Sequence, residues 1–258
     1  MKKFVLILIS LTILATGCST LKQRAEGPLA ASSSPEAEAL FKRLHPRNSD
    51  LRSFKGTGRM RMEGDNGIQN ARLMWAGYQN EKLRLEVMGG TGRPVFSFAN
   101  DGARIYLISH TENRFYSKRS SNATLEKLIS QPITVSACLD LLAGRIPAET
   151  RFLPMTVRQG EKEGEQILVL EGLKRTSGSQ KVYVDASSGD VRLIEVKEGD
   201  GTLAYQVEFV HMQQISGFKV PRELRISNGK KASLRIVVER FWPNVPVSDD
   251  LFILAKPR

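Results

Sequence analysis

The sequence is poor in the residue types on which metal sites, disulfides and most catalytic centres depend. It has two cysteines, Cys18 and Cys138, and three histidines, His45, His110 and His211. None of the histidines has a second ligand at the spacing of a zinc site, and neither His-x-x-x-His nor Cys-x-x-Cys occurs. The serine-hydrolase motif Gly-x-Ser-x-Gly and phosphate-binding glycine loops are also missing. We therefore expect a protein that is not an enzyme and needs neither metal nor cofactor.

The sequence also lacks an apolar run long enough to cross a bilayer, which takes about 20 residues. The apolar stretch at residues 4–14 spans roughly a dozen residues and follows Lys2 and Lys3, which is typical of a secretory signal. Residues 14–18 read Leu-Ala-Thr-Gly-Cys and are similar to a lipobox. We expect residues 1–17 to be a lipoprotein signal peptide, with cleavage after Gly17 and acylation of Cys18, which anchors the chain to a membrane.

Residues 18–35 are dominated by small residues, which is typical of a flexible tether. By analogy with lipoprotein sorting in general, Ser19 favours the periplasmic face of the outer membrane over retention in the inner membrane. If Cys18 is acylated, Cys138 has no intramolecular disulfide partner, and we expect it to be a small buried apolar residue.

Basic residues outnumber acidic ones, with a formal net charge of +11 that falls to +9 when Lys2 and Lys3 leave with the signal peptide. No Lys/Arg block or basic-aromatic pattern stands out, so no nucleic-acid partner is expected. Outside the cytoplasm such a charge could favour anionic lipid headgroups or acidic partners, although a diffuse solvated surface is the simpler interpretation.

Helix-start signals precede residues 36–44: Ser34 at the cap, Pro35 at the first position and acidic residues in the first turn. From residue 52 onward the dominant period is two, which predicts antiparallel strands with one wet face. The predicted strand segments are 54–63, 71–78, 83–87, 94–98, 104–108, 114–117, 155–158, 166–171, 181–185, 191–197, 204–212, 223–227 and 233–240.

One segment interrupts the strands. Residues 124–129 and 135–143 have helical spacing, and Gly144 is suited to end the second helix. We therefore predict a single domain over residues 36–258, mainly β, with a helical insert at about 122–146.

A curved sheet with one apolar face must be covered, and only a few short helices are available to cover it. An incomplete cover would leave an apolar cavity suited to acyl chains, whereas a complete cover would give a filled hydrophobic core. The residue pattern alone does not separate these two possibilities. The predicted cavity residues are Phe54, Met60, Met62, Trp75, Phe96, Phe98, Phe115, Leu125, Leu128, Ile129, Leu139 and Leu142.

The order and spacing of several segments resemble the LolA/LolB family of bacterial lipoprotein carriers, from about Leu40 to Pro257. The segments that carry the resemblance are 54–58 (FKGTG), 70–75 (NARLMW), 83–87 (LRLEV) with its glycine-rich loop, 125–147, 217–226 (GFKVPRELRI) and 249–252 (DDLF). The resemblance implies an unclosed antiparallel half-barrel of about 11 strands covered by short helices.

The resemblance also implies a function, and the acylation predicted at Cys18 places the chain closer to LolB, the lipid-anchored member. It implies a monomer that binds acyl chains, receives lipoproteins from a soluble LolA-like carrier and inserts them at the outer membrane. In LolB an apolar residue on a strand-connecting loop serves membrane insertion. The matching loop is 87–94, and Met88 is its nearest apolar candidate, although LolB has a leucine flanked by proline and glycine there. Two alternatives stay open: a lipid or glycolipid carrier on the same fold, and an envelope scaffold that binds a protein partner.

Overall fold

Alternating apolar and polar residues organise just over half of the described residues into one antiparallel sheet of 13 strands. The computed structural model describes residues 33–65, 67–79, 81–120, 124–129, 131–147, 152–229 and 232–256. Cys18, the predicted signal peptide and nearly all of the predicted tether lie outside these ranges. The strands are β1 (Ser53–Gly64), β2 (Gly67–Tyr78), β3 (Lys82–Met88), β4 (Pro94–Asn100), β5 (Arg104–Ser109), β6 (Arg114–Arg119), β7 (Phe152–Gln159), β8 (Glu165–Gly172), β9 (Ser179–Asp185), β10 (Val191–Lys197), β11 (Leu203–Ile215), β12 (Phe218–Ser227) and β13 (Ser233–Pro243).

The sheet consists of two meanders joined at its centre. Strands β1 to β6 follow one another outward to one edge, and strands β7 to β13 run from the opposite edge back to the middle, where β13 pairs with β1. The two edge strands, β6 and β7, are not paired with each other. The sheet is therefore an unclosed half-barrel, and the segment between β6 and β7 has to cross from one edge to the other.

Helix α1 (Pro35–Leu44) precedes the sheet and packs against β7 and β8. The hydroxyl of Ser34 caps it by accepting a hydrogen bond from the Ala37 amide, as the helix-start signals predict. Ala37, Leu40 and Leu44 form its buried face.

The crossing segment carries the helical insert, with α2 (Glu126–Ile129) and α3 (Val135–Leu142). Helix α3 is capped by Thr134, and Gly144 adopts a φ of +71° just after it, as predicted for a helix terminator. The Asn48 side-chain amide donates hydrogen bonds to the carbonyls of Ala143 (2.7 Å) and Lys219 (2.8 Å), which ties the end of α3 to β12. The insert thus lies on the concave face of the sheet.

The opposite, convex face is covered at one edge by the segment after β13. This segment forms a 3-10 turn (Asp249–Phe252) next to β3, and Phe252 within it is fully buried. Leu254 packs with Ala99, Tyr106 and Ile108 into a small second cluster, separate from the main core. Part of the convex surface is therefore apolar and covered.

The 13 strands match the 13 segments predicted from the alternation of residues, and the unclosed architecture is confirmed. The count of about 11 strands implied by the family resemblance is too low by two. In the described part of the chain, no helix combines the length and apolarity needed to cross a membrane.

Candidate functional site

A cavity of about 520 Å³ lies between the concave face of the sheet and the helical insert. Its volume falls within the range of about 300–1,000 Å³ that is usual for small-molecule sites. Strands β1 to β5, β12 and β13 supply one wall and the insert supplies the other. The cavity is lined by Met60, Met62, Gln69, Leu73, Leu85, Val87, Val95, Phe96, Ser109, Thr111, Leu125, Leu128, Ile129, Ile133, Cys138, Leu141, Leu142, Leu224, Ile226, Leu234 and Ile236.

The polar lining residues mark where the cavity meets solvent. Gln69 and Thr111 are exposed and Ser109 is half-buried, whereas most of the apolar lining is buried. The strand register places the β1–β2, β3–β4, β5–β6 and β12–β13 connections at one end of the sheet, which we call the hairpin end. Because Gln69, Ser109 and Thr111 all lie beside these connections, the cavity has its polar rim at the hairpin end.

The other half of the concave face is solid. Phe54 and Leu139 are almost completely buried and meet over Gly77, and the Phe54 ring stacks on Phe241 with centroids 5.5 Å apart. The Trp75 indole occupies the space beside Gly56, where a Cβ atom would come within 2.2 Å of the ring. Close packing of this kind leaves no room for a ligand. The interior is therefore half filled and half hollow.

Seven of the predicted cavity residues lie together in the lining, and five do not. The lining contains Met60, Met62, Phe96, Leu125, Leu128, Ile129 and Leu142. Four others belong to the buried core: Phe54, Trp75, Phe98 and Leu139. Of these, Phe54, Trp75 and Leu139 form the solid half just described. They point to the concave face, as their alternation indicates, but lie further along the strands than the hollow part.

Phe115 is the predicted cavity residue that lies on the wrong face. It pairs with Ile108 across β5 and β6, and it packs against the cluster that contains Leu254 on the convex side. The physical reason is that the convex face is also apolar at this edge, so alternation alone could not tell which face was the inner one.

The prediction missed lining residues from the second meander, above all Leu224, Ile226, Leu234 and Ile236. Leu224 and Ile226 are two positions apart, as are Leu234 and Ile236, so the alternation typical of a buried strand face was present in the sequence. What the sequence did not show is that β13 returns to pair with β1 and so brings these side chains beside Met60.

Cys138 and Asp140 on α3 have strongly altered acidity. Burial raises the pKa of the Cys138 thiol to about 12, and the Asp140 carboxylate adds to this effect. Burial also raises the pKa of Asp140 to about 6, although Arg145 opposes the shift. Cys138 is a small residue in an apolar wall, as expected, and its raised pKa makes it a poor nucleophile.

Met88 ends β3 at the hairpin end and is half-buried. Leu85 and Val87 line the cavity, and Met88 pairs with Arg72, a residue exposed on the convex face. Its side chain is thus placed beside the cavity rather than in it. A role of Met88 in membrane insertion remains a prediction.

Among the described residues, no group of three or more His, Cys, Asp or Glu side chains is arranged to hold a metal ion. An open half-barrel with an apolar cavity under a helical insert defines a class of fold, and similar solved structures identify it. A LolA superfamily protein from Nitrosomonas europaea matches with a TM-score of 0.61 and 13% identity over 84% of this chain and 97% of that one. A putative outer membrane lipoprotein-sorting protein domain from Vibrio parahaemolyticus matches with a TM-score of 0.58 and 14% identity over 84% and 94%.

The chain therefore has the fold of the LolA superfamily, as the resemblance implied. No family model and no curated protein matches the sequence itself. At 13–14% identity the structural match shows the fold, and the function has to be argued from the cavity.

Proposed function

We propose that this protein binds the acyl chains of lipids in the cavity under the helical insert and, as a lipid-anchored carrier, receives lipoproteins and inserts them at the outer membrane. The observation that carries the proposal is the cavity of about 520 Å³ with an almost entirely apolar lining and its polar rim at one end. A hydrocarbon tail is the ligand that fits such a lining, because it needs no buried hydrogen-bond partner.

The expected affinity comes from burial of apolar surface. Each methylene removed from water contributes about 0.8 kcal/mol, so about ten buried methylenes give roughly 8 kcal/mol before the costs of association are subtracted. Burial of this kind is non-directional, and we expect weak selectivity for chain length. Flexible Met60 and Met62 side chains in the wall allow chains of different shape to fit.

The lipoprotein-specific part of the proposal rests on the predicted acylation of Cys18 and on the sorting role named for the Vibrio parahaemolyticus domain of similar fold. A soluble LolA-like carrier is the proposed donor, and the outer membrane is the proposed acceptor. No catalytic step is proposed, because the chemistry consists of moving an apolar tail between two apolar environments.

Acyl binding is tested with the full chain carrying Cys18→Ser, which removes the predicted lipid acceptor. The protein is titrated with a fluorescent fatty acid, and we expect saturable one-to-one binding. Leu128→Trp places a bulky ring in the cavity wall and should reduce the affinity at least tenfold. Leu153→Trp, on the exposed side of edge strand β7, is the matched control and should leave binding unchanged. Equal binding by all three proteins would refute a cavity site.

A lipid or glycolipid carrier on the same fold is the second candidate, since the apolar lining contains no group specific for a lipoprotein. Depletion of the protein in cells separates the two: accumulation of lipoproteins in the inner membrane supports the lipoprotein role, whereas normal sorting with altered lipid composition supports the alternative. A scaffold that binds a protein partner on its surface needs no internal cavity, and the hollow half of the interior disfavours it.

A further inference from the structure

The convex face of the sheet carries a cluster of arginines near the hairpin end. Arg59 and Arg61 on β1, Arg72 on β2 and Arg235 on β13 line a groove of about 510 Å³, which we call the arginine groove. All four are exposed. The groove lies on the opposite face of the sheet from the apolar cavity, and Met60 of β1 contributes to both.

The strand register sets these arginines directly against one another. Arg59 pairs with Arg72 across β1 and β2, Arg61 pairs with Arg235 across β1 and β13, and Arg235 pairs with Arg225 across β13 and β12. Like charges at directly opposed positions destabilise a sheet. Sheet stability therefore gives no reason for this arrangement.

Carboxylates compensate most of the charge. Glu223 accepts two hydrogen bonds of 2.8 Å from Arg235 and one of 3.1 Å from Arg225, and these contacts hold the pKa of Glu223 below its usual value. Glu63 pairs with Arg61 at 2.7 Å, and Glu239 pairs with Arg59 at 2.9 Å.

Arg72 differs from the other arginines of the groove. Within the part of the chain that the structure describes, its guanidinium has no carboxylate within 4.0 Å. The nearest positions in the register are Arg59 on one side and Met88 on the other, and neither side chain carries a negative charge. Arg72 is thus free to bind an anion from solution, and its planar guanidinium suits two oxygens of a phosphate.

The surroundings of the groove indicate which phosphate it takes. Ile68, at the β1–β2 hairpin, is 57% exposed and lies on the same face as Asn70 and Arg72, about 7 Å along the strand from Asn70. An exposed apolar tip beside uncompensated positive charge fits a bilayer surface, where apolar tails lie beneath a layer of phosphates. The rim of the apolar cavity lies at this same end.

We propose that the arginine groove binds the phosphates of anionic phospholipids and holds the hairpin end of the sheet against the bilayer. The inference extends the proposed function, because it places the mouth of the cavity where an acyl chain must enter or leave a membrane. Arg72 makes the primary contact, and Arg59 and Arg61, which are paired with Glu239 and Glu63, flank it.

The test uses the full chain with Cys18→Ser and co-flotation with vesicles of phosphatidylcholine, with or without phosphatidylglycerol. We expect tighter binding to the anionic vesicles, weakening as salt rises. Because a basic side chain at an anionic surface contributes about fivefold in affinity, Arg72→Gln should lower the preference about fivefold. Arg72→Lys, which keeps the charge, should retain most of it. Arg43 is an exposed arginine on α1, so Arg43→Gln removes the same charge at a site away from the groove. It should change the preference for anionic vesicles less than twofold.

Equal loss in Arg43→Gln and Arg72→Gln would overturn the proposal, because the preference would then reflect net charge alone. Inorganic phosphate is the second probe. If it displaces the protein no better than sodium chloride of equal ionic strength, the site needs a membrane; displacement at much lower ionic strength would identify a site for free phosphate and would overturn the membrane assignment.

The fatty-acid titration separates this inference from the proposed function. Arg72→Gln should bind the fluorescent fatty acid as the parent chain does, since Arg72 lies outside the cavity. A vesicle preference that depends on Arg72 in a protein without acyl binding would support the groove and refute the carrier. Acyl binding with no preference for anionic vesicles would do the reverse.

Discussion

The contact that fixes the helical insert to the solid half of the sheet depends on a residue without a side chain. A Cβ atom added to Gly77 would lie 2.4 Å from Phe54 Cζ and 2.7 Å from Leu139 Cδ2. Phe54 is 1% exposed and Leu139 is 0% exposed, so neither can move into solvent. We predict that Gly77→Ala forces Leu139, and with it helix α3, away from the sheet.

Overpacking of a closed core costs about 1–3 kcal/mol. Alanine in a strand would otherwise be favoured over glycine by roughly 0.5–1 kcal/mol. A fall in the free energy of unfolding of Gly77→Ala would therefore indicate the clash, because the backbone effect alone would raise it. The two terms leave a net loss of about 1 kcal/mol, so a domain of this size should unfold about 2–4 °C lower. Gly64→Ala on β1 is the matched control, because a Cβ atom there meets nothing within 4 Å, and it should be neutral or slightly stabilising.

The assay is chemical unfolding by guanidinium chloride, with each alanine variant made in the parent chain and in Phe54→Leu. Phe54→Leu removes the atom that clashes most, so Gly77→Ala should cost at least 1 kcal/mol less in that background. Additive effects of the two substitutions, or a Gly77→Ala protein as stable as Gly64→Ala, would show that the insert is not held in this way.

Three further outcomes follow from the insert and its attachments. Burial raises the pKa of Asp140 to about 6, so the folded state binds this proton more tightly than the unfolded state. The protonated carboxyl therefore contributes about 3 kcal/mol to stability below pH 4, and this contribution is lost as the pH rises through 6. The difference in unfolding free energy between Asp140→Asn and the parent should vary over that window, and a difference independent of pH would contradict the shift. The Cys138 thiol, with its pKa raised to about 12, should react with maleimide at pH 8 about 1,000-fold slower than an exposed cysteine in the Cys18→Ser chain, and more slowly still with palmitate bound; unchanged labelling with palmitate would place the ligand elsewhere. Asn48→Gly keeps the φ of +55° accessible but removes the side-chain hydrogen bonds to the carbonyls of Ala143 and Lys219. The free energy of unfolding should fall by about 1–3 kcal/mol, and hydrogen exchange of the α3 backbone amides should become faster. Unchanged exchange would refute the anchoring role.

Much of the fold could be predicted from the sequence because local rules and the final structure agree along most of the chain. The Ser34 cap, Pro35 and the apolar stripe of α1 predicted that helix to within one residue. The predicted strand 191–197 has the bounds of β10, and the Asn228-Gly229 pair, a sequence typical of hairpin turns, lies in the β12–β13 hairpin.

The candidate site was only partly predictable, because its position depends on pairings between residues far apart in the sequence. Alternation placed Phe54 and Met60 on the same face but could not show that Phe54 fills one half of the interior while Met60 lines the other. The convex cluster around Leu254, which receives Phe115, depends on a C-terminal segment folding back over the sheet. No local pattern reports that long-range contact.

The pairing of β1 with β13 sets the order in which the molecule can fold. Paired residues of β1 and β13, such as Met62 and Leu234, are about 170 residues apart in the sequence, so the contact order of the fold is high. As the chain is synthesised, the amino-terminal meander emerges first, and the inner edge of β1 stays unpaired until β13 has been made. The sheet wall of the hollow half cannot be complete before then, so a chain that is still folding exposes its apolar face until β1 and β13 pair, late and slowly.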